Sequence, residues 1–213
     1  KSKAVEGIGR KEIKNAAYEF LHNTFGEFLT ANYIVYETRK VLNQLKIYRD
    51  NDMLNHWNLK TNKSWCICLA YAPLFSRPVV IKMIHEWSYT YLCNEGMELE
   101  EIDTLMEILI NMEIKEVISG ENVLFLKEIL EEKKNPFRAK GILDHLAIYS
   151  LNLIMLRTVI GQREYRFKFD NFKEYKKEES VKEEKEDCWN KLMYLWKSVF
   201  SERELQEYAE IFT

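Results

Sequence analysis

The sequence predicts a mainly α-helical fold, and three observations predict it. Only seven Gly and three Pro occur in 213 residues, too few turn-formers for the many hairpins of an all-β chain. The composition is 46% hydrophobic and 13% aromatic, which suffices for a buried core and is unlike a disordered segment. Apolar residues also recur at helical spacing in runs separated by short polar breaks. Successive helices joined this way fit a helical bundle or, since no fixed-period repeat is present, an irregular α-solenoid.

The elements follow in order. Residues 1–17 are polar and basic (Lys1, Lys3, Arg10, Lys11, Lys14) and read as a loop or rim. Tyr18, Phe20 and His22 alternate with Glu19 and Leu21, the pattern of a strand end. From Phe25 the spacing changes, and Phe25, Phe28, Leu29, Asn32 and Tyr36 fall on one side of a helix. Asn23 and Thr24 stand at this join, where a side chain could cap the helix's free N–H groups. The helix continues to Leu45, and residues 46–63, rich in Asp and Asn, read as a connection.

Residues 65–74 form an apolar run that predicts one buried helix, with Ser76 and Pro78 opening the next through Val80, Ile84, Trp87 and Tyr91. A helix over 98–117 follows, with Leu99, Ile102, Leu105, Leu109 and Met112 on one stripe and acids opposite. Ser119-Gly120 breaks it, and residues 122–134 resume the helical pattern before Asn135-Pro136. Residues 142–160 are apolar nearly all round, the mark of a central buried helix. The longest apolar stretch, Leu146 to Ile160, is interrupted by Asn152 and Arg157 and is too short to span a bilayer. Tyr165, Phe167 and Phe169 alternate as in an isolated strand or an extended connector, residues 173–187 are a mixed charge run that reads as a solvated helix face or a flexible loop, and 188–212 recover an apolar stripe, with Ser201 capping a final helix.

Net charge is −3 with a pI near 5.9, so the whole chain carries no basic signal for nucleic acid. Cys66 and Cys68 have the wrong spacing for a zinc knuckle, and with Cys93 and Cys188 they read as free thiols of a reducing cytoplasm. The sequence-level expectation is therefore a cytoplasmic chain with no metal site and no membrane span.

One stretch carries a family resemblance. The pattern F-L-H-x-T-F-x-E-F-L-x-A-x-Y-I, formed by Phe20, Leu21, His22, Thr24, Phe25, Glu27, Phe28, Leu29, Ala31, Tyr33 and Ile34, resembles the winged-helix motif of NACHT-type NTPases of the STAND class. That class includes NOD-like receptors and bacterial antiphage sensors. Gly26 stands where glutamine is usual, and Thr30 replaces the first of two alanines. The resemblance implies that residues 1–45 are the end of a winged-helix domain and 46–213 a helical, sensor-proximal regulatory domain. It implies that His22 reaches the β-phosphate of bound ADP and holds the parent protein inactive. No G-x-x-x-x-G-K-S/T phosphate loop occurs here, so ADP or ATP with Mg would be held mostly by residues outside this chain. The implied partners are an upstream NTPase domain, a trigger such as a phage protein, and further copies on activation. The chain itself would be a switch and scaffold, without catalysis of its own.

An alternative rests on Arg138 and His145, whose spacing resembles the arginine–histidine pair of HEPN ribonucleases. That resemblance implies metal-independent RNA cleavage in a helical dimer. The plainer reading places Arg138 at the surface and His145 at the edge of the buried helix.

Overall fold

The computed structural model describes residues 6–57, 62–93, 96–121, 126–128, 141–161 and 181–210, with side chains from residue 24 onward except 181–188. Among them no strand occurs, and the fold is mainly α-helical as the composition requires. The elements are α1 (Glu6–Asp50), a 3-10 turn η1 (Leu54–His56), α2 (Lys63–Ala70), η2 (Leu74–Ser76), α3 (Pro78–Cys93), α4 (Leu99–Ser119), α5 (Ile142–Ile160), α6 (Val181–Val199) and α7 (Glu202–Glu210).

The first correction concerns α1, a single helix of 45 residues. The loop expected over 1–17 gives way to helix from Glu6, and the strand expected over 18–22 does not form, so no corner exists at Asn23–Thr24. Physically, the alternation of Tyr18, Phe20 and His22 coexists with Ala16, Ala17 and Leu21, which favour helix, and no Pro interrupts the stretch. The helix also runs past Leu45 to Asp50. Its buried line is Ala31, Ile34, Val35, Thr38, Val41, Leu42 and Leu45, spaced at three and four residues. This line packs chiefly on α3, and also on α2 and α4. Lys46 and Arg49 then reach Glu101 of α4 at 2.7 and 2.9 Å.

The second correction concerns the run 65–74. It is not one helix: α2 stops at Ala70, and Pro73, which cannot donate into a helix and restrains the residue before it, precedes η2. The break is fixed from outside. Asn152 of α5 donates through Nδ2 to the carbonyls of Leu69 and Ala72 at 2.7 and 2.8 Å, and its Oδ1 accepts from the Leu74 N–H at 2.8 Å. Ser76 is not a cap; its hydroxyl donates to the Pro73 carbonyl.

Helix α5 is the hub, touching α2, α3, α4, α6 and η2. Although long and apolar enough to cross a membrane by length and composition, it is the most buried helix of the bundle, and its polar groups bond inward. Ser150 accepts from the Trp196 indole of α6 at 2.9 Å, and the nearly sealed Arg157 pairs with Asp103 of α4 at 2.7 Å. Helix α4 ends where expected, with Gly120 in the left-handed conformation (φ 80°) donating to the carbonyls of Glu116 and Val117. Ser201 caps α7 as expected: its hydroxyl accepts from the Glu204 N–H, and the Glu204 carboxylate accepts from the Ser201 N–H. Most of 122–134, and the whole of the alternating run 165–170, lie outside the described residues.

Candidate functional site

The motif of α1 divides between two faces. Ala31 and Ile34 belong to the buried line, whereas Phe25, Leu29 and Tyr36 are 60%, 47% and 48% exposed. At 100° per residue these three stand opposite the buried line. Phe28 and Tyr33 flank them, and Phe28 leans edge-on against Trp87 of α3, ring centroids 4.9 Å apart. Leu29, Tyr33 and Tyr36 also border a groove of about 540 Å³ that reaches Cys68 and Tyr71 beside α2. Arg39 and Lys40 sit 5.4 and 5.3 Å from the Tyr36 ring centre, so the apolar line ends in a pair of cations.

His22 stands in α1, and its position precedes Leu29 and Tyr36 by steps of seven residues along that helix. Its side chain lies outside the described ones. Arg138 lies outside the described residues altogether. His145 is in the first turns of α5, 4% exposed, and its Nδ1–H donates to the Ala70 carbonyl at 2.8 Å. Its imidazole therefore ties α5 to the end of α2 and is withheld from solvent. No pattern in the sequence pointed to that tie.

A buried polar cluster was also missed. Glu113 of α4 has no exposure. The Tyr149 hydroxyl of α5 donates to its Oε2 at 2.8 Å, and Cys66 Sγ lies 3.7 Å from the same hydroxyl. Burial pushes the Glu113 carboxyl up to about 8, against the lowering pull of the Tyr149 hydroxyl; the charge of Glu116 raises it further and the nearby Trp57 N–H lowers it. Neither Glu113 Oε1 nor Trp57 Nε1 completes a well-formed hydrogen bond, although the two groups face each other. Burial likewise pushes the Tyr149 hydroxyl and the Cys66 thiol well up, so all three groups are held neutral. The available signal was register, since Glu113 falls on the line of Ile102, Met106, Leu109 and Val117. Cys66, Cys68 and Cys93 are free thiols, as expected.

Compared with family models, with curated proteins and with solved structures, the chain matches none of them.

Proposed function

We propose that this chain is a regulatory and scaffold segment of a STAND-type NTPase, coupling the nucleotide state of its cytoplasmic parent to opening and oligomerisation in antiviral signalling. In this reading α1 joins the end of a winged-helix body to the helical bundle behind it. ADP or ATP with Mg is held by the parent's NTPase domain, and His22 donates a hydrogen bond to a phosphate oxygen. Because that contact exists only while the domains are docked, losing it shifts the population toward the open form.

The observation that carries the reading is the outward line of Phe25, Leu29 and Tyr36. These are residues of the motif or its continuation, and the core of this chain leaves them about half exposed. Large apolar side chains aligned on one face, rimmed by Arg39 and Lys40, suit burial against a second body. The ribonuclease alternative lacks such support, because His145 is sealed in a structural hydrogen bond.

The test uses the full parent protein. His22→Ala is expected to speed ADP release by about tenfold or more, the scale of one lost hydrogen bond to a charged group, and to raise basal signalling. Unchanged nucleotide retention together with unchanged signalling removes the assignment.

A further inference from the structure

We propose that Glu113 and Trp57 form a proton-operated latch: when Glu113 loses its proton, the Trp57 indole N–H donates to Glu113 Oε1 and fastens η1 onto α4. The latch uses no residue of the outward line of α1 and stands independently of the reading above.

Geometry supplies its two halves. Trp57 ends η1, its backbone N–H donating to the Leu54 carbonyl, and its ring leans edge-on against Tyr48 of α1, centroids 5.6 Å apart. The indole Nε1 and Glu113 Oε1 face each other, both sealed from solvent and both without a hydrogen bond. Buried polar atoms nearly always find partners, so two neighbouring ones left unmet need a cause. The carboxyl proton is that cause. Because the Tyr149 hydroxyl donates to Oε2 at 2.8 Å, Oε2 is the carbonyl oxygen of the neutral acid and the proton sits on Oε1. There an O–H meets an N–H, and neither donor has an acceptor. Transfer of that proton to solvent base turns Oε1 into a charged acceptor facing the indole, and a charge-assisted hydrogen bond replaces the mismatch.

The surrounding groups set where the latch works. Tyr149 faces the carboxyl from α5, Cys66 lies beyond it on α2, and Glu116 stands one turn along α4. His56, the titratable side chain of η1, is exposed. Burial keeps Tyr149 and Cys66 neutral, which leaves Glu116 as the charge bearing on Glu113 among the described residues. Burial first, and then that charge, bring the transition up to about 8. The latch is therefore open in neutral solution and closed in mild alkali. Since η1 connects α1 to α2, closing it stiffens the joint between the 45-residue helix and the bundle.

NMR of the chain carrying 15N-labelled tryptophan tests the proposal, the Trp57 indole signal being assigned from its contact with the Tyr48 ring. Exchange of that N–H with solvent, relative to free tryptophan at the same pH, is expected to slow about tenfold or more between about pH 6.5 and pH 9.5, the scale of one hydrogen bond to a charged group. The step should persist in His56→Gln and vanish in Glu113→Gln, which has no proton to lose. Linkage makes the effect reciprocal: Trp57→Phe, lacking the donor, is expected to raise the midpoint of the Glu113 carboxyl carbon resonance by about one pH unit. Circular dichroism verifies that each variant keeps the fold. A relative exchange rate that stays constant or quickens through the Glu113 transition overturns the proposal, as does a step that survives Glu113→Gln.

Discussion

At the scale of single residues, Glu113 makes the sharpest claim. Its carboxyl titrates near 8 in the fold and near 4.5 when the chain is open, because burial disfavours the charged form. The folded state therefore binds more protons than the unfolded one between those values, and stability must fall as pH rises through that window. Each unit of pH is worth up to about 1.4 kcal/mol while only the unfolded form is ionised. Urea unfolding followed from pH 5 to pH 8 is expected to show this decline, and Glu113→Gln to flatten it while keeping an acceptor for the Tyr149 hydroxyl. At pH 8 the variant should be the more stable protein. An equal decline in both proteins assigns the slope to other groups. Glu113 was hidden in the sequence for a physical reason: α4 carries several acids, and only the exact rotation of the helix separates the buried one from its solvated neighbours.

At the scale of elements, the α2–η2 break depends on α5. Asn152→Ala removes two donors and one acceptor from backbone groups of Leu69, Ala72 and Leu74, and leaves a small cavity. The expected loss is about 3–5 kcal/mol, read from the urea midpoint, and Asn152→Asp should cost a similar amount by replacing two donors with acceptors. A loss under about 1 kcal/mol means that Pro73 alone sets the break. Elements like α5 were legible because an apolar run without a polar face has one solution, full burial. The end of α4 was legible because Gly120 supplies the left-handed residue that stops a helix, and the start of α7 because Ser201 and Glu204 form a capping pair. The partition of 65–74 was not, since its composition suits a continuous helix and the clamp comes from a residue about eighty positions away in sequence. The strand over 18–22 failed for the converse reason. Five residues of alternation fit either period, and the neighbouring helix-formers decided between them.

At the scale of the whole molecule, α1 holds two apolar lines, and only their destinations differ. Periodicity placed Phe25, Phe28, Leu29 and Tyr36 on one side, correctly, but could not say which side the bundle would take. The structure assigns the bundle to Ile34, Val35, Val41, Leu42 and Leu45 and leaves the aromatic line outward. Energetics follow from that division. Leu42→Ala opens a cavity in a site with no exposure and is expected to cost about 2–5 kcal/mol. Phe25→Gln, Leu29→Gln and Tyr36→Gln combined remove only half-buried surface from a helix that glutamine tolerates, for a total below about 2 kcal/mol. Chemical unfolding of the isolated chain measures both. On the proposed STAND reading the ranking inverts for regulation: the triple variant, still folded, is expected to release nucleotide from the parent protein faster, because the proposed second body would lose the face it rests on. If the triple variant instead unfolds the isolated chain, the aromatic line serves this chain's own stability, and another surface must carry the coupling.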